Sequence, residues 1–198
     1  MTIILLASIC VGSPARADDL ILEKRTFELP RYTTVAGETI KSVKIGWEAA
    51  GTLNADKSNA ILITHFFSGT SHAFGKYAPN DKTAGYWDVI IGPGKAIDTN
   101  LYYVLSSDTL VNLNAKAPNV VTTGPASIDP DTNKPYGLSF PVVNIKDFVR
   151  VQKAAESRGG LQAYEWAQSY PDSVDRIVAA VASAAADPYL IGWLDMWA

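Results

Sequence analysis

The sequence predicts an α/β protein, with a mostly parallel sheet and an antiparallel pair at its N-terminal end. Three observations carry this reading. Two early segments, 20–29 and 39–48, mix apolar and charged residues in near alternation around the turn residues Val35-Ala36-Gly37-Glu38, the pattern of an antiparallel pair with one wet face. Two later segments, 60–64 and 101–107, are short apolar runs, as in strands covered on both faces. Segments with helical spacing follow at 144–156 and 161–170, and strands alternating with helices build layers on a sheet.

In chain order, Leu20 to Leu29 reads as a strand stopped by Pro30, and Thr39 to Glu48 as its partner. Ala60-Ile61-Leu62-Ile63-Thr64 is a buried strand that runs straight into the small-residue loop His65-Phe66-Phe67-Ser68-Gly69-Thr70-Ser71-His72. Leu101 to Ser107 is a second buried strand. From Asn112 to Pro141 the chain is rich in Pro, Gly, Asn and Thr, which marks a long ordered loop. Asn144 to Glu156 is a helix with Ile145, Phe148, Val149 and Val151 on its apolar side. Leu161 to Tyr170 is a second helix, halted by Pro171. Arg176 to Val181 returns to a strand, and Asp187 to Ala198 opens an aromatic helix.

The chain has 198 residues, 17 Lys+Arg against 20 Asp+Glu, 47% hydrophobic and 19% charged residues. That balance supports a packed core and excludes wholesale disorder. A net charge of -3 offers no phosphate-tracking surface, so nucleic acid is not an expected partner. One cysteine makes neither an internal disulfide nor a thiolate metal cluster. Residues 1–17 read as a signal peptide: Ile3 to Val11 is an apolar run too short to span a bilayer, and Ala15-Arg16-Ala17 is a small-x-small cleavage triplet. The departure is an n-region without Lys or Arg; the alternative is a buried strand that begins the fold. Cleavage would leave a domain at 18–198, free of Cys10, in the periplasm or outside the cell. No later stretch is long and uniform enough to span a membrane.

Several motifs invite a functional reading. Asp129-Pro130-Asp131-Thr132-Asn133 has the spacing of three calcium ligands, but Lys134 and Phe140 stand where a Gly and a bidentate Glu are needed, so it reads as a turn. Gly92-Pro93-Gly94-Lys95 lacks the spacing of a phosphate-binding loop and is also a turn. His65 and His72 bracket one loop without a carboxylate cluster beside them, so no metal and no cofactor are expected. That loop leaves a central strand at the edge where α/β sheets bind ligands. Its small residues suit either an oxyanion-binding backbone or an ordinary tight turn.

Beyond these residues, the chain resembles the homoserine O-acetyltransferase-like branch of the α/β-hydrolase superfamily. His65-Phe66-Phe67-Ser68-Gly69 is similar to the family's His-Ala-Leu-Thr-Gly loop. Trp87-Asp88 through Gly92-Pro93-Gly94-Lys95-Ala96-Ile97-Asp98-Thr99, the stretch from Thr123 to Pro141, and Gln162-Ala163 with Glu165-Trp166-Ala167 match further segments. The likeness runs from about Val43 to the end with one gap. It implies a partial α/β-hydrolase fold and acyl transfer or ester hydrolysis by a serine, aspartate and histidine triad, with a small acyl ester as substrate. Export argues against homoserine acetylation, because acetyl-CoA and amino-acid synthesis are cytosolic.

The resemblance breaks at the nucleophile. Glu156-Ser157-Arg158-Gly159-Gly160 is the one candidate elbow. Read backward from Leu161, Ser157 is the nucleophile and Arg158 an oxyanion donor, with Phe67 the other donor. Read forward from Val151, Ser157 is a helix-surface serine. In both registers no apolar strand lies between Lys153 and Gly160, so the family's central fifth strand is expected to be missing, and Asp187 to Ala198 resembles the start of the family's helical lid. Both histidines precede Ser157, whereas the fold orders its triad Ser, Asp, His. The expectation is a truncated, catalytically incomplete copy. The alternatives are a non-catalytic periplasmic binding or assembly protein, pairing through open sheet edges and the aromatics Tyr189, Trp193 and Trp197 (a homo-oligomer among the outcomes), or an unstable gene fragment.

Overall fold

β1 (Arg25–Thr33) and β2 (Thr39–Ala50) form the expected antiparallel hairpin, from Arg25 opposite Trp47 to Thr33 opposite Thr39. The computed structural model describes residues 19–154 and 168–176. The residues read as a signal peptide, Ser157 and Arg158, most of the stretch from Lys153 to Gly160, the expected helix over 161–170 but for its end, the strand expected after Arg176 and the residues read as a lid all fall outside the described residues. The hairpin turn closes with the Gly37 N–H donating to the Thr34 carbonyl at 2.9 Å, and Gly37 takes φ +91°, which glycine adopts without a Cβ penalty.

β1 does not stop at Pro30. It lies at the sheet edge, where a residue without an N–H costs no ladder bond on the open side. The ladder passes from Leu29–Val43 to Arg31–Lys41, skipping Pro30 and Ser42, and Ser42 takes φ 52°. That local kink puts Ile40 on the same face as Val43 and Ile45, all three buried in one cluster. The start of the predicted strand is displaced instead. The Leu22 N–H donates to the Lys76 carbonyl at 2.7 Å and the Lys76 N–H to the Leu20 carbonyl at 2.8 Å.

β3 (Ala60–Ile63) and β6 (Tyr103–Ser107) run parallel, β6 runs antiparallel to β2, and the sheet order is β1-β2-β6-β3. Among the described residues the sheet is therefore mixed, with one parallel interface and two antiparallel ones, because the hairpin occupies one side. Between β3 and β6 the short parallel pair β4 (Ile91–Gly92) and β5 (Ile97–Asp98) brackets the Pro93-Gly94-Lys95 turn. The long loop after β6 is ordered and carries one small hairpin, β7 (Ile128–Asp129) with β8 (Lys134–Pro135). Its turn is the apparent calcium motif: the Asp131 N–H donates to Asp129 Oδ1 at 3.0 Å and the Asn133 N–H to the Asp129 carbonyl at 2.8 Å. A cavity of about 310 Å³ beside it is lined by Lys41, Asp129, Asp131 and Tyr136 and shares no residue with the His65–His72 loop.

α1 (Ile145–Ala154) covers one sheet face, where Val151 packs with Ile40, Val43, Ile45 and Leu110. The opposite face buries Leu22, Ile63, Phe74, Ile91 and Val104. The buried stripe of α1 differs from the expected one: Asp147, Val149, Val151 and Gln152 are buried, while Ile145 is exposed. Asp147 is buried because it is the reciprocal partner of the helix cap. The Lys146 N–H donates to Asn144 Oδ1 at 2.9 Å and the Asn144 N–H donates to Asp147 Oδ2 at 2.9 Å. Its other oxygen accepts from the Tyr32 hydroxyl and the Val35 N–H, both at 2.7 Å. Among the described residues no helix is long and apolar enough to cross a membrane.

Candidate functional site

The parallel strands β3 and β6 end side by side, and the residues that follow them, His65 to His72 and Asp108, meet at that edge. Sheet topology makes this the expected position for ligand chemistry. The loop after β3 is held by its own backbone and by a second loop. Its Gly69 N–H donates to the Phe66 carbonyl at 2.8 Å. Asn112 Nδ2 donates to the Gly69 carbonyl at 3.0 Å, and Asn114 Nδ2 to the Ser68 carbonyl at 2.9 Å. Phe66 and Phe67 stand outward, with Phe67 78% exposed, and the Phe67 N–H enters no hydrogen bond with a described residue.

Glycine is required at position 69 because a Cβ there would lie 2.9 Å from His65 Cβ and 3.2 Å from the Phe66 carbonyl oxygen. The loop also packs against Tyr86, whose ring meets Phe66 edge-on at 5.3 Å between centroids and whose hydroxyl donates to the Thr70 carbonyl at 3.4 Å.

Beneath the loop lies a buried polar cluster that the sequence reading did not identify. Glu48, on β2 opposite Ser106, is fully buried. Its Oε1 accepts from the Tyr77 hydroxyl at 2.6 Å, the Ser71 hydroxyl at 2.9 Å and the Lys24 ammonium at 2.6 Å. Its Oε2 accepts from His72 Nδ1 at 3.1 Å. Lys24 also contacts the Ser71 hydroxyl. Asp108, equally buried, accepts from the Ser71 N–H at 2.8 Å and the Val121 N–H at 3.0 Å, with Lys24 3.4 Å away. His72 stacks on the Tyr77 ring, with centroids 4.2 Å apart.

Electrostatics follow from this packing. Burial alone raises the pKa of Glu48, but hydrogen bonds from His72, Lys24 and Tyr77, with the Lys24 charge, outweigh it and hold the carboxyl below its usual value. Burial, reinforced by the Glu48 carboxylate, pushes the Tyr77 phenol well above its ordinary range. Burial lowers the His65 imidazole, and the Phe66 carbonyl and the Asp108 charge restore only part of the shift. His65 and His72 are thus engaged separately, one with the loop backbone and Asn112, the other with Glu48. Among the described residues no group of three His, Cys, Asp or Glu side chains is arranged to hold a metal.

The structure places Phe67 at the exposed rim of the loop; Ser157 and Arg158 lie outside the described residues, so nothing is established about their distance from it. The missed residues carried one weak signal. Glu48 follows the apolar residues of β2 at a position facing the core, and a charge there needs buried partners. Those partners are scattered across residues 24 to 108 and have no common motif.

No protein-family model matches the chain. A homoserine O-acetyltransferase of Methanococcoides burtonii is 41% identical over 183 residues, covering 82% of this chain and 36% of that protein. The crystal structure of esterase E22 superposes with a TM-score of 0.84 at 54% identity, covering 89% of this chain and 52% of that one. A homoserine O-acetyltransferase from Bacillus anthracis gives a TM-score of 0.72 at 45% identity, over 77% of this chain and 44% of that one. The chain thus spans roughly a third to a half of the length of these relatives.

Proposed function

Over the aligned residues the chain belongs to the homoserine O-acetyltransferase-like family of the α/β-hydrolase superfamily, and from that premise we propose that it carries the oxyanion side of a serine esterase for small acyl esters. The observation that supports this most directly is the Phe67 N–H. It is unpaired among the described residues, at the rim of a loop whose carbonyls are tied down on both sides, as a donor awaiting a developing oxyanion must be. Similarity to esterase E22 favours hydrolysis over acyl transfer, and so does the leader read over residues 1–17, which would carry the domain to the periplasm or outside the cell, away from acetyl-CoA.

In this reading Ser157 occupies the nucleophile position and Arg158 the second donor position, but neither histidine serves as its base. His72 Nδ1 is committed to Glu48, and His65 is committed to its own loop. A site with the oxyanion donor and without the imidazole keeps only about 10³–10⁴ of acceleration over water. The 198-residue chain is therefore expected to hydrolyse p-nitrophenyl acetate slowly, without a burst and equally well as Ser157→Ala. Replacing Phe67 by Pro, which deletes the N–H, is expected to remove about 10² of that residual rate. A burst of p-nitrophenol that disappears in Ser157→Ala would overturn the incomplete-site reading. Unchanged hydrolysis in Phe67→Pro would overturn the donor.

A further inference from the structure

The loop contains a device that aims the Phe66–Phe67 peptide. In a trans peptide the C=O and N–H point in opposite directions, so fixing the carbonyl fixes the direction of the N–H. The Phe66 carbonyl is gripped twice, by the Gly69 N–H at 2.8 Å and by His65 Nδ1 at 2.8 Å. A carbonyl is only an acceptor, so His65 Nδ1 carries a hydrogen.

The other imidazole nitrogen gives the same assignment independently. Asn112 Oδ1 accepts from the Asn114 N–H at 2.8 Å, which sets the amide so that its NH₂ end faces the Gly69 carbonyl at 3.0 Å and His65 Nε2 at 3.4 Å. A nitrogen that faces an NH₂ donor is the acceptor of the pair. Asn112 is itself buried, and the burial that lowers the His65 pKa keeps the ring neutral.

We infer that His65 is a positioning residue, held by Asn112 as the neutral Nδ1–H tautomer, that grips the Phe66 carbonyl and so aims the Phe67 N–H at the oxyanion. The inference rests on Phe67 being the donor. Hydrogen bonds to a carbonyl also polarise its peptide and strengthen the N–H at the far end, so His65 acts on both the direction and the strength of that donor without touching substrate.

The test uses the full chain labelled with ¹⁵N. In the wild type the imidazole nitrogens of His65 are expected to show a protonated Nδ1 and a bare Nε2 at neutral pH; the reverse tautomer overturns the inference without any variant. The pair His65→Asn and His65→Gln then separates positioning from mere packing. Asn carries an N–H as far from Cβ as Nδ1, whereas Gln carries it at the reach of Nε2. The Phe67 N–H is expected to stay rigid, with an order parameter near about 0.85, in the wild type and His65→Asn, and to fall below about 0.6 in His65→Gln. The residual kcat on p-nitrophenyl acetate is expected to follow the same order, falling by up to about 10² in His65→Gln at constant KM. Order parameters indifferent to both substitutions overturn the positioning claim alone. Order parameters that behave as expected, with turnover insensitive to Phe67→Pro, place the fault in the donor assignment, and the inference falls with it.

Discussion

His72 Nδ1 donates to Glu48 Oε2 at 3.1 Å, joining the end of the loop to a carboxylate buried near the C-terminal end of β2. The same carboxylate accepts from Ser71, Tyr77 and Lys24, so one side chain ties the sheet, the loop and the N-terminal segment together. Removing one member of such a buried network leaves the others desolvated and unpaired, at a cost of about 3–5 kcal/mol. Glu48→Ala is expected to lose that much in urea denaturation. A loss below about 1 kcal/mol would mean that the cluster is not formed.

The same carboxylate makes acid stability informative. The folded-state pKa of Glu48 is depressed, so its contribution is fully present above the unfolded value and is lost as pH falls through the folded one. The window lies below about pH 4.5, the ordinary value for this group. Wild-type melting temperature is expected to fall more steeply through that window than that of Glu48→Gln, which has no proton to take up. Parallel curves for the two proteins would show that other carboxylates govern acid unfolding.

Asp147 offers a local test at the opposite face. It accepts from Tyr32, Val35 and Asn144, and Asp147→Ala strands those donors at the start of α1. The expected loss is about 3 kcal/mol by urea denaturation, against less than about 0.5 kcal/mol for the exposed neighbour Lys146→Ala. Equal effects at the two positions would mean that Asp147 does not hold the helix entry.

What could be read from the sequence follows from how local each signal is. The hairpin, the two buried strands and α1 are written in neighbouring residues, and each appears within a few residues of its expected bounds. Pro30 misled because a proline's effect depends on whether its strand is an edge, which is a tertiary fact. Ile145 and Asp147 exchanged roles on α1 because an apolar-periodicity rule counts a carboxylate as outward, whereas the helix cap and Tyr32 draw this one inward. The loop after β3 was legible through its family likeness and its small residues. Its support from Asn112 was not, because that contact joins residues 47 positions apart. Nor was the Lys24–Glu48 pair, whose members lie on different segments and signal nothing until the sheet brings them together.

The leader read over residues 1–17 is tested directly on exported material. Cleavage after Ala17 is expected to give a mature N-terminus at Asp18, read by N-terminal sequencing of periplasmic or culture protein, and replacing both Ala15 and Ala17 by Arg is expected to leave a longer, unprocessed form. Processing unaffected by the double replacement would refute that cleavage site.

Gly69 packs closely against His65 and Phe66, and substituting it tests stability and site geometry together. An added Cβ would sit 2.9 Å from His65 Cβ, an atom next to the backbone that has little room to retreat. Overpacking of this kind costs about 1–3 kcal/mol, and the least costly relief is to push His65 away from Phe66. Gly69→Ala is therefore expected to melt lower and, at temperatures where it stays folded, to loosen the Phe67 N–H in ¹⁵N relaxation. Gly94→Ala serves as the control: a Cβ there meets nothing within 4 Å, although Gly94 sits at φ +70°, so it carries backbone strain with no steric push on the loop. Gly94→Ala is expected to lower stability by about 1 kcal/mol while leaving Phe67 rigid. If the two substitutions change Phe67 alike, or neither does, contact between Gly69 and His65 does not shape the donor.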